Sequence, residues 1–171
     1  VSHLKAIRAA YLSGVEQALI TEDDLSLEYL PQWKDKGIDP VLDALDCGSE
    51  KHQSWSVVQM AITVGFLKSS LGRKLEERLY VGESVTLRDP VRDYELWSAT
   101  AYLIHRRGME YLLDRHWPGG LKAIQTPWEE LKGTFDFTQC LSGLADTVVY
   151  SAPNTFVVNR PLFSSDDDGL S

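Results

Sequence analysis

The chain is predicted to fold as one α/β domain, a mostly parallel sheet flanked by helices. Three observations predict it. Residues 3–13 (HLKAIRAAYLS) place Leu4, Ile7, Ala10 and Tyr11 at helical spacing. The apolar run EQALIT follows just beyond Gly14, and a helix feeding a buried strand is half of a parallel α/β unit. Further apolar runs then recur between polar or charged segments as far as Phe163. At 171 residues and 43% hydrophobic content, the chain is the size of one domain, 1–171. It buries a core without disulfide or metal staples.

The elements follow in order. The first helix stops at Gly14, and EQALIT (16–21) reads as a short, fully buried strand. Residues 31–51 are polar and contain Pro and Gly, with a short helix predicted around Val41–Leu45. SWSVVQMAITVGF (54–66) reads as a second buried strand, and LKSSLGRKLEERL (67–79) leans helical. LYVGESVTL (79–87) alternates as a strand does, and LWSATAYLIH (96–105) is rich in β-formers and small residues. RRGMEYLLDRHW (106–117) is a helix ended by Pro118-Gly119-Gly120. ADTVVYS (145–151) and NTFVVNRPLF (154–163) read as two strands separated by Pro153. Residues 164–171 carry almost no apolar content and are expected to form a mobile tail.

The net charge of −8 comes without a basic stripe, which excludes an unspecific nucleic-acid or anionic-membrane binder. An anionic ligand stays open, because a bound divalent ion reverses the local field. Cys47 and Cys140 lie too far apart for a disulfide framework or a cysteine zinc site. Both read as reduced, buried thiols, as in a cytoplasmic protein. No run has the length of a membrane span and no signal peptide is visible. The chain opens on Val1 rather than Met, so an upstream segment, and with it the secretory pathway, stays open.

The segment QALITEDDLSL drives an apolar run straight into Glu22, Asp23 and Asp24. Carboxylates that close repel unless a cation or a ligand lies among them. Alternation along a strand turns Glu22 and Asp24 one way and Asp23 the other. At the carboxyl end of a parallel strand they lie where open α/β sheets bind ligands. Hard oxygens there suit Mg²⁺ or Mn²⁺ carried with a diphosphate. The same residues also fit a solvated strand end, or the N-cap of a helix beginning near Ser26.

SHLKAIRAAYLSGVEQALITEDDLSL resembles the central segment of family 25 glycosyltransferases, the lipooligosaccharide and procollagen galactosyltransferase type. In that family a Ser-His pair and a helix lead into a strand ending Glu-Asp-Asp. LWSATAYLIHRRGMEYLL resembles the family's Trp-Gly-Thr-x-Ala-Tyr-Leu-Ile segment, and LADTVVYSAPNTFVVNRPLF its Pro-x-Asp region. The matches keep their order and cover most of the chain. The resemblance implies a GT-A-like, Rossmann-like fold and a hexosyltransferase using a UDP-sugar, with galactose or glucose as the hexose. The acceptor would be a hydroxyl of a glycan or glycoprotein, and transfer would be inverting. It makes Asp24 the direct ligand of Mn²⁺ (or Mg²⁺), with Glu22 also near the metal, and places Glu22, Asp23, His3 and Trp97 around the donor. The chain departs from the family at Ser98, where the family has Gly, and the family's first strand and base-binding loop would precede Val1.

An inverting transfer needs a carboxylate to take the acceptor's proton. Asp146 aligns with the family's late Asp and is one candidate; Asp136 is the other, its neighbours Phe135 and Phe137 able to raise its pKa by desolvation. Each also reads as a turn or surface aspartate. His3 is alternatively a capping or surface residue, and His52, His105 and His116 show no metal-ligand spacing. Trp97 and Tyr102 offer a face for a sugar ring, although core packing is the commoner use of such aromatics. Asp166, Asp167 and Asp168 form a solvated run or a lid. Two other classes compete: a metal-dependent phosphohydrolase or nucleotidyltransferase, which lacks support from any Gly-rich phosphate loop, and a non-catalytic glycosyltransferase-like binding module.

Overall fold

The computed structural model describes residues 1–27, 38–46, 54–61, 85–87, 98–131, 134–138, 140, 145–158 and 162–165. The segment 67–79, Cys47, His52, Trp97 and Asp166 to Asp168 lie outside the described residues.

Helix α1 (Ser2–Leu12) turns Leu4 and Ile7 into the core, as the spacing predicts. Its end is set by Gly14, whose φ of +81° carries the chain back along the helix while its N–H donates to the Tyr11 carbonyl. Strand β1 (Gln17–Thr21) follows, then β2 (Leu25–Ser26), α2 (Asp39–Asp46), β3 (Val57–Gln59) and β4 (Val85–Leu87). Next come β5 (Ala101–His105) and α3 (Arg106–His116), then two short 3₁₀ turns. Helix α4 (Ala145–Val149), β6 (Thr155–Val158) and β7 (Ser164–Ser165) complete the order.

The α/β class predicted from sequence is present, with a mixed sheet. Its strand order is β1-β5-β3-β6-β4. Only β3 and β6 pair in parallel; the β1–β5, β3–β5 and β4–β6 pairings are antiparallel. The expected mostly parallel sheet is therefore not what the described strands form. β1 and β5 lie side by side with Thr21 opposite Ala101 and Gln17 opposite His105, and α1 and α3 pack in the same apolar cluster on one face.

Both faces of the sheet are covered. On one, Ile20, Val57, Tyr102 and Ile104 pack with Leu4 and Ile7 of α1 and Met109, Leu112 and Leu113 of α3. On the other, Val58, Ala101, Leu103, Phe156 and Val158 pack with Val41 and Leu45 of α2 and with Trp55. Alternation along β5 divides its side chains between the two cores. Arg8 ties α1 to the turns after α3, donating from Nε to the Ile124 carbonyl (2.8 Å) and from Nη2 to that of Thr126 (3.0 Å).

Three further expectations change. β1 is an edge strand of the described sheet: Ile20 is buried against α1, but Gln17, Leu19 and Thr21 are exposed, so the run is not fully buried. Residues 145–149 are helical rather than a strand. Val148 and Val149 reach the core from a single turn, and that burial outweighs the β preference of a Thr-Val-Val run. Ser164 and Ser165 belong to β7, paired with Ser26 and Leu25, so these two residues are not part of a mobile tail and Ser26 opens no helix; residues 166–171 lie outside the described residues. No helix among the described residues is long and apolar enough to cross a membrane.

Candidate functional site

The amino-terminal turns of α1 and the end of β1 enclose a cleft of about 450 Å³, lined by Ser2, His3, Ala6, Ile20, Thr21, Glu22, Asp23 and Asp24. All three acids face it. Strand β1 stops at Thr21, and Asp23 and Asp24 form a turn, so the strand alternation that would have sent Asp23 to the other side no longer applies. The acids follow an antiparallel edge strand rather than a parallel one.

Glu22 is held from both sides. Its backbone N–H donates to the Thr100 carbonyl (2.8 Å), extending the β1–β5 ladder by one residue. One carboxylate oxygen, Oε1, lies 2.9 Å from His3 Nε2, and Thr100 Oγ1 donates to the other at 3.3 Å. His3 Nδ1 lies 3.1 Å from the hydroxyl of Tyr102. Tyr102 is fully buried, and that burial, with the nearby charge of Glu22, pushes its phenol well above the usual range. It offers no face to a sugar ring. The Glu22 side chain keeps 39% exposure and His3 only 12%, so Glu22 is the more open of the two to the solvent of the cleft.

Asp23 and Asp24 are exposed at the rim. Among the described residues no three His, Cys, Asp or Glu side chains gather into a metal-holding group. Two neighbouring rim carboxylates fit a cation that arrives with a diphosphate, since Mg²⁺-type ions take one or two protein carboxylates and fill the remaining positions from phosphate and water. They do not fit a resident all-protein cage.

The two candidate bases differ. Asp136 is fully exposed and closes a local turn, accepting from the Thr138 N–H (2.9 Å) and hydroxyl (2.7 Å). Those bonds hold its carboxyl below the usual range, the opposite of the expected rise, because the neighbouring Phe rings pack elsewhere and leave it solvated. Asp146 does not open a strand; it lies half-buried in the first turn of α4, and its carbonyl accepts from the N–H of Tyr150. The Tyr150 ring packs edge-on against Tyr102, the residue bonded to His3. His105 caps α3 through the Arg107 N–H, and buried His116 bonds the Asp136 carbonyl, so both serve the fold. Cys140 is a half-buried free thiol whose pKa burial raises.

Ser98 holds φ at +143°, a region that favours glycine. Its carbonyl accepts from the buried Tyr150 hydroxyl and its Oγ from the Thr100 N–H. Sequence reasoning named core packing for Tyr102, which its burial bears out, but missed Thr100 and the bond from Tyr102 to His3. Neither carries a signal, because their pairing with His3 and Glu22 exists only once β1 and β5 lie together. No family model, curated protein or solved structure matches the chain.

Proposed function

We propose that the chain is a nucleotide-sugar-dependent hexosyltransferase on a GT-A-like frame. It transfers galactose or glucose from a UDP-sugar to a hydroxyl of a glycan or glycoprotein, with inversion. One observation supports the reading above the others: His3 and Glu22, 19 positions apart, meet with Asp23 and Asp24 in one open cleft. Its volume lies in the range of small-molecule sites. Asp24, with Asp23 beside it, is the residue that would hold Mn²⁺ or Mg²⁺. A cation held there would supply neutralisation of the charge on a departing diphosphate. Glu22, already bonded on both oxygens, faces the donor instead of the cation. Asp146 is the proposed base, since Asp136 is held in its own turn by Thr138, which lowers its carboxyl below the usual range.

Calorimetry with UDP-galactose and UDP-glucose, with and without Mn²⁺, tests the reading. Metal-dependent binding that Asp24→Asn removes is the expected result, because an amide loses the charge that attracts the cation. Asp146→Asn is expected to lower turnover about a hundredfold while donor affinity stays near wild type. Binding without any transfer would point to the non-catalytic module, and release of phosphate instead of hexose to the phosphohydrolase. Transfer with retained anomeric configuration would overturn the single-displacement mechanism.

A further inference from the structure

Tyr102 lies buried at the centre of β5, behind the cleft, and its hydroxyl has His3 Nδ1 as a hydrogen-bonding partner (3.1 Å). An ionised Glu22 accepts only, so His3 Nε2 must carry the proton it shares with Oε1. In a neutral imidazole the other ring nitrogen is an acceptor, and the buried phenol, which stays protonated, supplies the donor. Each partner thereby fixes the next: phenol to imidazole, imidazole to carboxylate. Thr100 holds the second carboxylate oxygen (3.3 Å). Both nitrogens of His3 are consumed, so it has none left for a ligand. Glu22 retains lone pairs and partial exposure on the cleft side.

We propose that Tyr102 and His3 are positioning residues that fix the Glu22 carboxylate as an acceptor for a hydroxyl of the donor's sugar. This rests on the transferase reading and deepens it: the carboxylate run divides into a pinned acceptor at Glu22 and a cation-facing pair at Asp23 and Asp24. A carboxylate immobilised by two donors is suited to direct recognition of a hydroxyl, because its orientation is settled before the ligand arrives.

The test compares UDP-galactose and UDP-glucose with UDP lacking a sugar, all with Mn²⁺, in wild type, Tyr102→Phe, His3→Ala and His3→Gln. Tyr102→Phe keeps the buried ring and removes only the hydroxyl. In Tyr102→Phe and His3→Ala the advantage of a UDP-hexose over UDP is expected to fall about tenfold while UDP affinity holds. His3→Gln, whose amide donates to Glu22 and accepts from Tyr102, is expected to restore most of it. Equal weakening of UDP and UDP-hexose would make Glu22 a cation ligand and overturn the proposal, as would an unchanged ratio in Tyr102→Phe. A second measurement needs no ligand: the Tyr102 hydroxyl proton is expected to exchange slowly in NMR spectra of wild type and to vanish from them in His3→Ala. Fast exchange in wild type overturns the orienting chain. Wild type that binds neither probe overturns the transferase reading and the sugar contact together, and a slow hydroxyl proton in that sample distinguishes this from failure of the chain.

Discussion

Ser98 shows how a single backbone angle is held against its own preference. An L-residue at φ +143° loses the freedom that glycine would keep there, at a cost of about 1–3 kcal/mol. The position is over-determined: Tyr150 donates to its carbonyl, the Thr100 N–H donates to its Oγ, and its side chain is buried. Ser98→Gly is expected to raise stability by about 1 kcal/mol, the relief of strain exceeding the loss of one 3.2 Å hydrogen bond and the added chain entropy. Urea denaturation checks this, and a fall in the midpoint would show that the Oγ bond outweighs the strain. The serine is legible in the sequence; its positive φ is not, because nothing about a Trp-Ser-Ala-Thr string forbids an ordinary extended backbone.

At the scale of elements, two glycines separate two kinds of constraint. Gly14 needs its positive φ but has open space where a Cβ would go, so Gly14→Ala is expected to cost about 1 kcal/mol through the backbone alone. Gly108, in α3, has an ordinary helical backbone, and alanine there would gain about 1 kcal/mol of helix propensity. A Cβ at that position would stand 2.4 Å from the Ser56 carbonyl oxygen, in the segment leading into β3. The nearest contact is a backbone carbonyl, with the Ile104 side chain also close, so α3 must shift away from the sheet. Gly108→Ala is expected to destabilise by about 1–3 kcal/mol despite the propensity gain. Thermal melts of the two variants test the ranking, and an equal or smaller loss at Gly108 would mean that α3 shifts freely. The helices α1 and α3 were readable from periodicity and their stops, whereas ADTVVYS was not: its β-branched residues favour a strand, and only the burial of Val148, Val149 and Tyr150 decides for a turn of helix.

Over the whole molecule, one sheet divides two apolar cores, with β5 contributing Tyr102 and Ile104 to one and Ala101 and Leu103 to the other. Neither core is complete without the sheet, so both are expected to melt together. Leu112→Ala and Val158→Ala act on opposite faces and belong to different clusters. Their destabilisations are expected to add within about 0.5 kcal/mol, and each variant to unfold in urea in one transition seen alike by far-UV circular dichroism and tryptophan fluorescence. Separate transitions would show that the faces fold as independent units.

The sequence by itself determined the α/β class, the two long helices and the place where an apolar run meets three acids, since these depend on local periodicity, turn residues and charge. Tertiary structure decided the rest. Whether a strand pairs in parallel or antiparallel, and at the edge or the centre, depends on non-local partners, so the antiparallel β1–β5 edge was invisible in EQALIT. The roles within the acid run were decided there too. His3, Glu22, Thr100 and Tyr102 are joined by bonds spanning up to 99 positions, and only that assembly pins Glu22 while leaving Asp23 and Asp24 at the rim. Spacing along a chain specifies which side chains share a face of one element; it is the packing of one element on another that brings a donor to an acceptor.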